Sequence, residues 1–455
     1  MSVATPDRVP AHPPPAGTLK QMWLAAVASY GLGQVANLLF QWRLLDQLGA
    51  ADYGAVGLAH LLLITLIFLA DLGYSSIFLR EPVQASEWEA TWRQALGHKL
   101  IATLVLLALT AVGSAWLWGR GSASQAYLLS AAPACLLALG NYASPLIASG
   151  RRLTGLLAAQ VAWPVALLLW WPLQGRLALA PAACAGLAVS LGFLVQAGVS
   201  MACSGRLRLW LPQWGRGQLG AALNLSMLSV CGTLHDRLTP FLLAPLAPGF
   251  LPYFLILSHV LNGLSGVLVQ VARLLLPVAR AGQGRDNALA AVSLVLWGML
   301  AALALGLLVT SLDLALQHTW LVLAAIVILA WGVSAASSFF TTVLISDRRE
   351  RSLLHALVLG LSLSALLQGV AALAEAPAFL LGARALGMYV LLIGLGALLG
   401  LRPTVWGLVV LVLAPMACIA VGGPGRLAIG LAIAVPAGVG LLRRLPCLRL
   451  ASARP

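Results

Sequence analysis

Charge is what this sequence has least of. Only 9% of its 455 residues are ionised at neutral pH, against about 25% in soluble domains. The chain is 61% hydrophobic, with a mean hydropathy of +0.95. So little polar surface cannot cover an apolar core of that size, so the surrounding solvent is lipid. Lysine is nearly absent. Lys20 and Lys99 follow Leu19 and His98, so no GxxxxGK loop exists and phosphate-loop nucleotide binding is excluded. The six cysteines are scattered with no CxxC pair and read as small apolar filler. Neither a GxSxG nor an HExxH motif is present, and no EF-hand pattern appears. No carboxylate pair sits in a loop long enough to form a catalytic site, so an enzyme is not expected.

What is present is a succession of apolar runs, each near the ~20 residues that an α-helix needs to cross ~30 Å of hydrocarbon. The ten-residue alternation of a membrane barrel is missing. Charges, Gly and Pro divide the runs into fourteen spans: 20–45, 54–79, 96–118, 124–148, 155–173, 178–202, 218–246, 250–276, 287–311, 319–345, 352–373, 377–400, 404–421 and 425–442. The last two are the shortest, and twelve spans is the alternative. The predicted fold is an all-α polytopic membrane protein.

Basic residues test the count. With both termini inside, inner segments hold twenty of the 27 Lys and Arg, and outer loops hold only Arg120, Arg176 and Arg426. That is a strong positive-inside bias. It also accounts for the formal charge of +14, together with contact with anionic membrane lipids; no nucleic-acid partner is expected. Residues 1–19 are proline-rich without an apolar core and read as a disordered cytoplasmic tail. Residues 20–202 form a first lobe, 203–217 an interfacial linker and 218–401 a second lobe. Residues 402–442 hold the last two spans and 443–455 a basic tail. The two longest inner loops, REPVQASEWEATWRQ and SGRLRLWLPQWGRG, mix Trp with Arg as headgroup-level segments do.

Several spans carry polar stripes. At 100° per residue, Ser226, Ser229, Thr233, Asp236, Arg237 and Pro240 share one face of the seventh span, while His235 points elsewhere. Tyr30, Gln34, Asn37 and Gln41 share a face of the first span; Tyr53, His60, Asp71 and Ser75 one of the second. His259, Asn262, Gly266, Gln270 and Arg273 do so in the eighth, and Ser334, Ser337, Ser338 and Thr341 in the tenth. The nine leucines of the seventh span favour insertion by about 4–5 kcal/mol, and Asp236 plus Arg237 oppose it by about 6. That helix is therefore marginal unless its charges are paired or hydrated. Arg43, Arg237, Arg273 and Arg384 against Asp71 and Asp236 leave the membrane region net positive, which favours an anionic cargo. His60, His235, His259 and His355 are read one by one as structural.

The segment QWRLLDQLGAADYGAVGLAHLLLITLIFLADLGYSSIFLRE, residues 41–81, resembles the first two helices of the polysaccharide-export, O-antigen (Wzx-type) flippases. The matching points are Arg43, Leu48–Gly49, Tyr53–Gly54 and Asp71–Leu72–Gly73. A second match is Asp236–Arg237 in the seventh helix, with Pro277 and Arg280 closing the eighth. The family belongs to the multidrug/oligosaccharidyl-lipid/polysaccharide (MOP) superfamily. The resemblance implies two pseudo-symmetric six-helix lobes around a central cavity, with two extra C-terminal helices here. The halves echo: Tyr53 and His60 recur about 200 residues on as Tyr253 and His259.

The expected function follows from the resemblance and the stripes together. It is export of an undecaprenyl-pyrophosphate-linked oligosaccharide across a bacterial inner membrane by alternating access. Arg237 and Arg273, then Arg43 and Arg384, would hold pyrophosphate. Gln34, Asn37, Gln41, Asn262 and Gln270 would hydrogen-bond sugars. Asp71 and Asp236 are candidates for a coupling H⁺ or Na⁺; no other cofactor is expected. The expected state is a monomer, with polysaccharide polymerase and glycosyltransferases as candidate partners. The rival readings are an ion-coupled multidrug exporter of the same superfamily, a membrane polysaccharide polymerase and a structural scaffold.

Overall fold

The structure, a computed structural model, describes residues 16–80, 85–148, 151–205, 207–278, 318–347 and 349–400. The ninth, thirteenth and fourteenth predicted spans, residues 1–15 and the C-terminal tail lie outside them; residues 16–19, read from the sequence as disordered tail, open the first helix. Among the described residues the chain is helical throughout, without a strand. Among the described residues, seven segments are long and apolar enough to cross a membrane: 27–70, 88–116, 123–147, 154–176, 181–204, 351–373 and 377–398. The chain is a multi-pass membrane protein.

The first of these covers two predicted spans. Helix α1 (Ala16–Ala70) is 55 residues long and turns at Gly49, with φ 73° and ψ 170°. A straight helix of that length would reach about 80 Å, far more than one bilayer thickness. Gly49 takes the positive φ that side-chain-bearing residues resist, and it splits α1 into two limbs. The second limb ends at Asp71–Gly73, where Leu72 and Gly73 both have positive φ (50° and 80°). Short α2 (Tyr74–Arg80) follows.

This break corrects the helical-wheel reading of the second span. Asp71 and Ser75 do not continue the face of Tyr53 and His60, because the helix stops between them. Asp71 instead caps α2: Oδ2 accepts from the Ser75 backbone N–H at 3.1 Å and Oδ1 from its hydroxyl at 2.9 Å. This is what a carboxylate at a helix start is suited to do.

Beyond Leu96, helix α3 (Ala85–Leu117) turns polar residues inward and apolar ones outward. Ile101, Leu104, Val105, Leu109, Val112 and Trp116 form an exposed stripe, whereas Lys99, Thr103 and Ser114 are buried. That inverted arrangement suits a lipid solvent. Lys99, one of the twenty basic residues counted as inner, is therefore buried within the helix. The helix begins at Ala85 and carries Lys99 roughly 20 Å into its length.

Two predicted spans are interrupted. Span 124–148 divides into α4 (Ala123–Ala131), α5 (Pro133–Leu137), a 3₁₀ turn (Ala138–Gly140) and α6 (Ala143–Ala148). Pro133 stands at the start of α5, and Asn141 Oδ1 accepts from Ala143 N at 3.1 Å. Both suit a restart better than a helix interior. Span 155–173 divides at Val161 into α7 (Arg152–Gln160) and α8 (Ala162–Arg176). Pro164, lacking an N–H, cannot bond back to the Gln160 carbonyl.

Helix α9 (Pro181–Ser204) packs against α4 and α8. The linker then docks on α3: Arg93 Nε donates to the Leu211 carbonyl at 2.9 Å, and Gln213 N donates to that of Arg93 at 2.9 Å. The Trp92 and Trp210 rings lie 6.2 Å apart. The two Trp/Arg loops read from the sequence thus form one layer.

The second half contains α10 (Leu219–Leu246), α11 (Leu251–Val278), α12 (His318–Ser346), α13 (Glu350–Leu373) and α14 (Pro377–Leu398). α14 packs against α12 and α13. The halves meet chiefly where α11 lies along α1, with further contact of α10 against α1 and α2. Near the Gly49 turn, Leu251 and Leu255 sit over Gly54 and Gly57. At the other end, Gly73 lies so close to α10 that a Cβ there would stand 2.5 Å from the Ala222 carbonyl.

Candidate functional site

The most charged point of the interface is on α10. Helical geometry sends the consecutive side chains of His235, Asp236 and Arg237 about 100° apart, and the structure gives each a different partner. His235 is buried against α13, with Nε2 2.7 Å from Ser364 Oγ; it lies off the polar stripe, as the wheel places it. Asp236 pairs with Arg384 Nη2 at 2.9 Å, its side chain 47% exposed and that of Arg384 16%. Arg237 crosses to the first half, where Nε donates to Thr65 Oγ1 at 3.0 Å. Asp236 and Arg237 are therefore neighbours in sequence but not an ion pair. Among the described residues no carboxylate pairs with Arg237.

Arg237 arrives beside two histidines. His60 is fully buried on the second limb of α1. Its Nδ1 lies 2.6 Å from the Tyr127 hydroxyl of α4. Its ring centre is 5.7 Å from that of His259 on α11 and 5.4 Å from that of Trp163 on α8. The Arg237 charge reaches both imidazoles. Reading the histidines singly missed this cluster. The signal for it was the echo of Tyr53 and His60 in Tyr253 and His259, which places one imidazole in each half.

The amides of the first limb lie along the same helix. Asn37 and Gln41 are buried, and Gln41 Oε1 accepts from the Tyr53 hydroxyl at 3.3 Å. Asn37 Oδ1 and Gln41 Nε2 have no partner among the described residues. Gln34 packs on Gly263 of α11, next to Asn262, which is exposed. Gln270 and Arg273 belong to the α11 backbone, and their side chains fall outside the described residues.

Two predicted site residues are drawn elsewhere. Arg43 turns to α8, its guanidinium 4.3 Å from the Trp171 ring centre and 5.4 Å from that of Trp170. Its Nη2 donates to Gln174 Oε1 at 3.1 Å, which also accepts from Gln47 Nε2 at 2.6 Å. Asp71 is held by Lys99 Nζ at 2.5 Å as well as by Ser75. That pair escaped the sequence reading because 28 residues separate its members.

No family model matches the chain, and no curated protein matches it. Solved structures do. The chain is similar to the lipid II flippase MurJ in an inward closed conformation, with 13% identity, 94% of this chain and 99% of that one covered, and a TM-score of 0.62. It is similar to an outward-facing multidrug resistance MATE family transporter of the MOP superfamily, with 15% identity, 88% and 96% covered, and a TM-score of 0.59. The chain shares the fold of these two structures. A eukaryotic MATE transporter, at 12% identity, 93% and 99% coverage and a TM-score of 0.56, points the same way. The likeness reaches the MOP fold and not its O-antigen branch. In this chain the MOP fold brings His60, Thr65, Arg237 and His259 together where its two halves meet, and it leaves Arg43 and Asp71 within the first half.

Proposed function

We propose that the protein is a flippase that carries an undecaprenyl-pyrophosphate-linked oligosaccharide from the cytoplasmic to the outer leaflet of a bacterial inner membrane. Both termini would be cytoplasmic, and the two halves would rock as lobes about a central cavity. One observation carries this reading: Arg237 stands where the halves meet with a hydroxyl and, among the described residues, no carboxylate as its partner. A cation so placed keeps its charge for a ligand, and its planar fork suits phosphate oxygens. The lipid-linked cargo named for MurJ agrees with such a ligand.

In this scheme Arg237 and Arg273 hold the pyrophosphate, with Arg384 behind Asp236. Gln34, Asn37, Gln41, Asn262 and Gln270 serve the sugars. Arg43, with its indoles and Gln47 and Gln174, offers a second contact near the Gly49 turn. Of the two acids, Asp236 is the better candidate for a coupling H⁺ or Na⁺, because Asp71 is committed to Lys99 and Ser75. The membrane potential helps: moving two negative charges out of an inside-negative cell at ~100 mV gains about 4–5 kcal/mol.

The test is depletion of the protein in cells that make a surface polysaccharide. Lipid-linked sugar should accumulate in the inner leaflet; normal outer-leaflet levels would end the proposal. The second reading is a multidrug exporter, supported by the MATE neighbours. It predicts raised drug susceptibility on deletion with lipid-linked sugar unchanged.

A further inference from the structure

The flippase reading leaves His60 and His259 without a task. We propose that these two imidazoles join Arg237 in one diphosphate-binding site, each half of the molecule supplying one of them. The inference rests on that reading and specifies the ligand contacts at the place where the halves meet.

Three observations support it. First, His60 is fully buried, yet Nε2 has no partner among the described residues. When the Tyr127 hydroxyl donates to Nδ1, 2.6 Å away, Nε2 carries the ring proton and is a donor with nothing to receive it. Second, His259 presents a second imidazole 5.7 Å away, ring centre to ring centre. Arg237 is anchored by Nε at Thr65, five residues along α1 from His60, which leaves its two terminal nitrogens for a ligand.

Third, among the described residues the cluster holds donors and a cation but no anion. The groups facing it are Tyr127 from α4, Trp163 from α8, Arg237 from α10 and His259 from α11. Asp236 is turned to Arg384 and Asp71 to Lys99. Arg237, half-buried among N–H donors, shares the nearby Asp236 charge with Arg384, and a diphosphate supplies both a counter-charge of its own and the acceptor oxygens. The Trp163 ring, centred 5.4 Å from that of His60, forms the wall of the site on the α8 side.

The alternative is an imidazole–hydroxyl network that fastens the halves and binds nothing. The two are separated with the purified full chain in lipid nanodiscs, titrated with inorganic pyrophosphate at constant ionic strength by calorimetry. The wild type should show saturable binding. His259→Leu, which removes a donor, should weaken it about tenfold or more. His259→Asn, which restores one, should recover most of that loss, and Arg120→Gln in an exposed loop should change nothing. His60→Leu should act as His259→Leu does; if it fails to fold, the His259 pair still decides. Absence of saturable binding in the wild type, equal binding by His259→Leu, or equal losses for His259→Leu and Arg120→Gln would each overturn the site. Sugar translocation is scored separately. Binding without translocation would sink the flippase reading and leave the site, whereas undiminished translocation by His259→Leu would do the reverse.

Discussion

Arg237 and Lys99 are both basic residues in apolar surroundings, yet their neighbours give them opposite tasks. Lys99 is 5% exposed and bonded to Asp71 at 2.5 Å, so its charge is cancelled on the spot. Lys99→Met would strand the carboxylate, and breaking a buried pair from one side costs about 3–5 kcal/mol. Adding Asp71→Asn should recover much of that loss. Thermal denaturation of the four-member cycle in detergent checks it, and additive losses would show that the pair is not coupled. Among the described residues Arg237 has a hydroxyl as its hydrogen-bond partner. Arg237→Ala should leave expression intact and lower outer-leaflet delivery of lipid-linked sugar at least about tenfold. Arg237→Lys should recover little, because an ammonium does not reproduce a fork. Wild-type delivery by Arg237→Ala would reduce the residue to a structural one.

Glycine shows how an element's setting decides the cost of one methyl group. Gly73 has φ 80°, and a Cβ there would stand 2.5 Å from the Ala222 carbonyl of α10. Gly31 lies in α1 with nothing within 4 Å of a Cβ. Gly73→Ala should therefore destabilise by about 1–3 kcal/mol, while Gly31→Ala should stabilise by roughly 0.5–1 kcal/mol. Melting temperatures that moved together would contradict this. The same element scale explains what the hydropathy pattern blurred. An apolar count finds the spans, because twenty apolar residues suffice to cross lipid. It does not register Pro133, Asn141 or Pro164, which break two of them into shorter helices. Nor does it show that the second span stops at Asp71, where two successive residues of positive φ end the helix.

Across the whole molecule, the halves touch near the Gly49 turn, where Leu251 and Leu255 cover Gly54 and Gly57, and at the opposite end, where Gly73 meets α10. Alternating access requires these contacts to open in turn. Cysteines at 57 and 255, in a chain stripped of its native thiols, should be joined by a short bifunctional thiol reagent. Transport should then stop and return on cleavage of the link. Unaffected transport in the linked protein would mean that this end need not open.

The all-helical membrane fold and the face that His235 takes on the seventh span were legible in the sequence, because both depend on residue type and local spacing alone. A low charged fraction requires lipid, apolar length sets a span, and 100° per residue sets a face. The wheel could separate His235 from Arg237 on this basis. Partner choice depends on residues far apart in the chain. Asp236 meets Arg384, Asp71 meets Lys99, Arg237 meets Thr65 and His60 meets His259 only after helices from distant segments pack. A charge is neutralised or kept free by whatever tertiary packing sets beside it, and no spacing along one helix carries that information.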